Sequence, residues 1–536
     1  MLSNEYDLNN LVIRYVVPIV GSIGAAIGTV WLLQAVNPLA ALSAFAAGIF
    51  LLVSIVSPRS GLFVLMGVCA YSDLVKRMLV MFRELSFDQI SYVLMAAPII
   101  VVGLLTSLLT RRAFHMVRLN RADLVLGGIA IFLAVLNFAL EIRANSSSLE
   151  AIRSAVNHGV FCGVAVVGLR AFRNAEDLEK FLRATLLIFL PVPLYAFWQL
   201  AFGYADFEVE YLRSGLTVEI KQLFEIRPRP FSTLNSAGVV GTLCAGFFVI
   251  ATYPWITRRI RQFRRAESVG SILVATIYFA GAVGSLVRSS HAVWIIALFS
   301  LWCFRSAVRT RVFYTAVFVG IVSMIGFAGW IQENLHLIDP ARYATSDYGA
   351  SALSILTYND RLTGFINLTA STQMYSWFGI PQAQQGFGAT YSHDPISGLI
   401  MKVGVVGFLM VLVGVISGLR WIHTHILALA PGRGRELAVL LMSLLAGWLC
   451  TEVLVNSVIT VFPLNALFWL FVGATTFLVT TNQEVPEVEG SREDERADLP
   501  DSVWRPRTGE RPRTEGVGEP RWNLSHRHDA GDRPRR

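Results

Sequence analysis

The chain has 536 residues, 54% of them hydrophobic and only 15% charged, with a mean hydropathy of +0.55. A soluble domain carries about 25% charged residues, so this composition excludes a soluble enzyme, a secreted disulfide scaffold and a disordered chain as descriptions of the whole. The net charge of +8 sits almost wholly on arginines at the ends of apolar runs, where basic residues act as topology determinants; it does not point to nucleic acid.

Repeated apolar runs of roughly twenty residues, each enough to cross a bilayer as a helix, predict an all-α, polytopic integral membrane protein. In chain order the spans are expected at 16–33, 38–56, 61–79, 91–110, 124–140, 155–169 and 184–202. They continue at 237–253, 271–287, 291–304, 312–330, 396–419, 437–455 and 461–479, about fourteen transmembrane helices in all. The first run follows a polar start of mixed charge and reads as a retained span, not a cleaved signal. Cys69, Cys162, Cys244, Cys303 and Cys450 each fall inside a run with no CxxC pair. They are expected to be small membrane-core residues.

Basic clusters orient the spans. Arg111, Arg112, Arg118 and Arg121, then Arg170, Arg173 and Lys180, then five arginines within 258–265, fall on every second loop. Arg305, Arg309 and Arg311 continue the series, followed by Arg420, Arg433 and Arg435. The positive-inside rule makes these loops cytoplasmic and puts both termini inside. Lys76, Arg77 and Arg83 break the pattern, because the count places them outside. Two long loops, 204–235 and 331–395, also fall outside, and loops of that length are uncommon unless functional. The second is rich in aromatics and is expected to form a small domain on the outer, periplasmic surface. The expected organisation is N-terminal transmembrane helices (1–183), a transmembrane core carrying both loops (184–480), and a disordered cytoplasmic tail (481–536), acidic and then rich in arginine and proline. No internal repeat supports an inverted-repeat transporter.

Four constellations at outer span ends bear on chemistry. Arg227-Pro-Arg229-Pro-Phe-Ser-Thr-Leu-Asn235 leads into the eighth span. Its arginines suit an anion held jointly with a helix N-terminus; interfacial anchoring is the competing reading. Arg288, in Gly284-Ser-Leu-Val-Arg288-Ser-Ser-His291, is the only basic residue in a short outer turn. A functional role is the default for such an arginine, with snorkelling to the headgroups as the alternative. Tyr391-Ser-His393-Asp394 ends the long loop and puts a titratable imidazole at the boundary, although a loop histidine is often incidental. Gly404 and Gly407 follow it, one turn apart, and would let a neighbouring helix approach. Asp360-Arg361 is the fourth. Elsewhere Asp73 with Lys76 and Arg77 is expected to form a local ion pair, and His158 and Glu452 have no evident partners. The alternation Asp206-Phe-Glu208-Val-Glu210 reads as a strand edge or as metal-attracting carboxylates.

Together these residues resemble the O-antigen ligase and O-antigen polymerase family of bacterial envelope glycosyltransferases. The family's ligase pattern is His, then Asn, Ser or Gln, nine residues, Gly, two residues, then Gly, Thr or Tyr. Here His393 is followed by Asp394, nine residues, Gly404, two valines and Gly407; only Asp394 departs. Trp377-Phe-Gly-Ile-Pro with Gly386-Phe-Gly388 is similar to the glycine-rich approach to that histidine. Arg229-Pro-Phe-Ser-Thr-Leu-Asn235 matches the family's arginine before a small-residue turn. Gly284-Ser-Leu-Val-Arg288 is similar to its Gly-Ser-Arg segment, with the arginine two residues further on. Arg227 and Gly238 fit the polymerases' spacing of an arginine, ten residues and a glycine. The resemblance covers about 184–479.

It implies a bacterial inner-membrane, multi-pass glycosyltransferase that polymerises or ligates oligosaccharide carried on undecaprenyl diphosphate, for O-antigen, capsule or exopolysaccharide. His393, Arg288 and Arg229 would be catalytic, and Arg227, Arg361, Asp394 and Trp377 substrate-binding, with no metal and no other cofactor. Partners would be the lipid-linked donor, a glycan or lipid-linked acceptor, the bilayer, and a chain-length regulator or flippase. The short first outer loop, 34–37, has no acidic residue, unlike the Asp motif of metal-dependent polytopic glycosyltransferases. A permease or flippase for a lipid-linked or sugar substrate is the rival. It needs ionisable groups near mid-span, for which only the scattered Asp73, His158, Lys402 and Glu452 qualify. A non-catalytic assembly subunit on the same scaffold is a third reading.

Overall fold

Within hydrocarbon every backbone polar group must be satisfied internally, which leaves an apolar run little choice but helix. The computed structural model describes residues 38–82, 93–115, 121–143, 151–152, 155–214, 229–256, 265–333, 377, 395–455, 458–459 and 461–481. Among them it is all-helical, 87% helix with no strand. The helices are α1 (Pro38–Val56), α2 (Pro58–Phe82), α3 (Ala96–His115), α4 (Arg121–Arg143), α5 (Phe161–Arg170, entered through a π turn, Val156–Val160), α6 (Ala175–Ile188), α7 (Pro191–Phe202) and α8 (Asp206–Arg213). After these come α9 (Ala237–Ile256), α10 (Arg265–Gly284), α11 (Arg288–Cys303), α12 (Ala307–Glu333), α13 (Pro395–Ala428), α14 (Arg433–Val455) and α15 (Leu464–Thr481).

Each expected span from 38–56 onward overlaps one of these helices; the first, 16–33, lies outside the described residues, as does the tail apart from Thr481. Four stretches are long and apolar enough to cross a membrane: Arg121–Arg143, Ala175–Phe202 (α6 and α7, broken before Pro191), Ala237–Trp255 and Arg433–Thr451, with several shorter apolar helices beside them. Burial sorts them. The apolar windows in α9 and α14 are 78% and 72% buried, against 6% for α4, so α9 and α14 are central and α4 peripheral. Leu124, Val125, Ile131, Phe132 and Val135 on α4 are exposed, a surface that lipid solvates and water does not.

Between apolar helices in lipid the attraction is chiefly close packing. The tightest approach joins α5 to α15. A Cβ added at Gly473 would stand 1.9 Å from the Ala165 carbonyl oxygen, and one at Gly168 would stand 2.4 Å from that of Leu470. Trp448 of α14 is fully buried, stacks on Phe471 of α15 at 5.7 Å and donates to the Thr242 carbonyl of α9 at 3.4 Å.

At one end of the bundle ion pairs tie helix starts together. Arg59 of α2 pairs with Asp177 of α6, and Arg433 of α14 reaches Glu176 at 3.2 Å and Glu179 at 3.4 Å. Asn174 caps α6, accepting from the Asp177 N–H at 2.9 Å. This is the end that the charge rule assigns to the cytoplasm.

Candidate functional site

The opposite end holds the segment carrying Arg229. The chain leaves α7 at Gly203 (φ 82°) and enters α8. The 206–210 alternation is therefore neither a strand edge nor an open carboxylate cluster. Glu208, Tyr211 and Leu212 are the buried positions of α8, spaced three and four apart as a helix face requires. Glu208 Oε2 accepts from the Ala205 N–H at 3.1 Å, which stabilises the start of α8 as in a capping box.

Glu208 is wholly buried because it faces an arginine. Arg77, near the end of α2, has a side chain 2% exposed and donates through Nη1 to Glu208 Oε1 at 2.9 Å. Its Nε donates to the Asp73 carbonyl at 3.1 Å and its Nη2 to the Ser232 carbonyl. Gln199 of α7 donates to the same Glu208 oxygen at 2.7 Å, and Tyr195 also hydrogen-bonds the carboxylate. Burial pushes the Glu208 carboxyl up from the ordinary glutamate range, against the pull of Arg77 and of its hydrogen-bond donors. The charge is thus held only while the set of donors is complete. Lys76 pairs with Asp73 at 2.7 Å, as expected, and lies 5.4 Å from the Tyr211 ring. Arg77 departs from the expectation: it uses the Asp73 backbone and finds its carboxylate on α8.

This arrangement also accounts for the exception to the charge rule. Arg77 and Lys76 are buried in ion pairs, so they do not act as free loop charges. Arg83 lies outside the described residues.

Around this cluster the 229–235 turn is held at several points. The Arg77 guanidinium lies 4.5 Å from the Phe231 ring, which stacks on Tyr204 at 4.9 Å. The Tyr204 hydroxyl donates to the Arg229 carbonyl at 2.9 Å. Ser232 adopts the left-handed conformation (φ 51°). Its N–H donates to Gln199 Oε1 at 2.7 Å and its hydroxyl to the Val192 carbonyl at 2.5 Å. Arg229 itself is exposed.

The turn runs into α9, and one turn further on α9 meets the segment before Arg288. A Cβ at Gly241 would stand 2.4 Å from Ser285 Oγ and 3.0 Å from Ser290 Cβ. That segment folds on itself. Ser285 and Ser290 donate to the Ala282 carbonyl at 2.8 and 3.0 Å, with Leu286 between them at φ 56°. Arg288 is the first residue of α11, so the helix begins three residues ahead of the expected 291. The backbone positions of Arg229 and Arg288 therefore belong to one end of the bundle. Thr233 Oγ1 and Ser289 Oγ, one in each segment, are buried and have no hydrogen-bond partner among the described residues.

Trp377 is exposed, and its carbonyl accepts from the Val406 N–H at 3.4 Å. That N–H lies beside a break in α13, where Gly404 adopts φ 75°, ψ 176°. Gly404 thus interrupts the helix where a close helix–helix approach was expected. His393, Asp394, Arg227 and Arg361 lie outside the described residues, as does the 331–395 loop apart from 331–333, Trp377 and Pro395. Sequence reasoning missed Gln199 and the pairing of Arg77 with Glu208. The available signal was an arginine placed on the wrong side by the charge rule, with an unexplained carboxylate in a later outer loop. No protein-family model, curated protein or solved structure matches this chain.

Proposed function

We propose that the protein is a multi-pass inner-membrane glycosyltransferase, with about fourteen spans and both termini cytoplasmic, that polymerises or ligates undecaprenyl-diphosphate-linked oligosaccharide at the periplasmic face. The observation that carries the reading is the convergence of the Arg229 and Arg288 segments at one bundle end, each with a buried hydroxyl that has no partner among the described residues. Unsatisfied buried hydroxyls cost about 1–3 kcal/mol each, and a ligand rich in oxygen would satisfy them. Pairing of Asp73 with Lys76 removes one of the four mid-span groups that a transport path would need.

In this reading His393 takes the proton from the acceptor hydroxyl as its oxygen attacks the anomeric carbon. The bond from that carbon to the diphosphate breaks, and the departing undecaprenyl diphosphate, holding the bond's electron pair, is stabilised by Arg229 and Arg288. Arg227, Arg361, Asp394 and Trp377 contact the donor and its sugars. Arg229→Ala, Arg288→Ala and His393→Ala are each expected to abolish product with expression intact. The deciding experiment is the surface-glycan size profile, with its lipid-linked pool, in His393→Ala cells. Single repeat units alone identify a polymerase; long chains stranded on undecaprenyl diphosphate identify a ligase. An unchanged profile in both pools refutes the reading.

A further inference from the structure

We propose that Arg77 is a positioning residue for the Arg229 turn, acting across the bundle from α2; the proposal rests on the reading that Arg229 serves glycan transfer. Arg77 is 155 residues from Ser232 in sequence, and it does more than neutralise Glu208. One face of its guanidinium covers the Phe231 ring, while its edge divides among Glu208, the Asp73 carbonyl and the Ser232 carbonyl. The fixed fork of a guanidinium can serve three acceptors in different directions at once, and an ammonium is a single point charge.

The turn it grips is strained at Ser232 (φ 51°). A serine stays there only where its surroundings over-determine it. Here they do so through three groups on two helices: Arg77 from α2 on the Ser232 carbonyl, and from α7 Gln199 on its N–H and the Val192 carbonyl on its hydroxyl. Gln199 also bonds Glu208, so Arg77, Glu208 and Gln199 close a ring around the residue three places after Arg229. Phe231 and Tyr204 extend that ring to the Arg229 carbonyl. Exposed Arg229 thus stands on a backbone whose conformation Arg77 sets, and small misplacements of a charge-stabilising group reduce rate steeply.

The test uses the full chain in nanodiscs for amide exchange, and membrane vesicles with the cell's own acceptor for turnover, read as release of undecaprenyl diphosphate from lipid-linked oligosaccharide. Two variants are compared: Arg77→Lys, which keeps charge and loses the fork, and Arg77→Met with Glu208→Leu, which replaces both buried partners by apolar groups. In both, amide exchange over 229–236 is expected to rise at least tenfold. Turnover (kcat) is expected to fall at least tenfold, with KM for the lipid-linked donor within threefold of the parent. Unchanged exchange over 229–236 overturns the proposal whether or not glycan is made. Faster exchange with parental kcat, in a protein that Arg229→Ala inactivates, overturns positioning and leaves the proposed activity standing. Parental turnover in Arg229→Ala overturns the activity reading, and the proposal with it.

Discussion

Glu208 and Glu210 lie two residues apart in a stretch whose alternation makes them look equivalent, and their replacement separates the folded structure from that pattern. Glu208→Ala removes a carboxylate that accepts from Arg77 at 2.9 Å, Gln199 at 2.7 Å and the Ala205 N–H at 3.1 Å. Its own side chain is 0% exposed and that of Arg77 is 2% exposed, so water cannot replace what is lost. Breaking a buried ion pair by deleting one partner costs about 3–5 kcal/mol, and the loss to the neutral donors left behind overlaps with that figure because all of them share one carboxylate with Arg77. The expected destabilisation is about 4 kcal/mol. Glu208→Gln keeps the shape and one acceptor oxygen and should cost about half as much. Glu210, exposed on the other side of α8, should tolerate alanine within about 0.5 kcal/mol. The assay is reversible unfolding in mixed micelles with increasing dodecyl sulfate, followed by tryptophan fluorescence. Equal effects at 208 and 210, in either direction, would falsify the buried-cluster reasoning.

Three further expectations follow from packing and backbone geometry. Gly473→Ala brings a methyl to 1.9 Å from the Ala165 carbonyl oxygen, so α5 and α15 must separate; a loss of about 1–3 kcal/mol should appear in the same unfolding assay. Gly270→Ala on α10 meets nothing within 4 Å and should be neutral or stabilising by up to about 1 kcal/mol, so a loss there comparable to that at 473 refutes the close-approach argument. Gly404→Ala forces a side chain into a backbone region open essentially to glycine alone, at about 1–3 kcal/mol. A crosslink between cysteines introduced at 377 and 406 should then weaken, and unchanged crosslinking would show that the break in α13 does not depend on the glycine.

Much of the helical framework is legible in the chain. An apolar run near twenty residues has one low-energy form in hydrocarbon, so the 38–56 run and α1 coincide at both ends, and the later runs overlap helices. Ends shift where propensity and capping compete with hydropathy: α6 begins at Ala175, nine residues ahead of the expected 184, because Asn174 caps a polar first turn. The partial site is less legible. Arg229 and Arg288 can be singled out by charge at a span end, but nothing in either motif says that Gly241 packs against Ser285 and Ser290 and draws their segments together.

What the sequence by itself determines is therefore local: which runs are helical, which helix ends carry charge, and which arginines stand at depths where charge needs a reason. What the tertiary structure decided is partnership. Arg77 and Glu208 are 131 residues apart, and each alone has several ordinary readings, a snorkelling arginine or a stray carboxylate. Only when α2, α7 and α8 meet does each become the group that permits burial of the other, because the free energy of a buried charge depends on the whole set of donors and acceptors around it and not on its own segment.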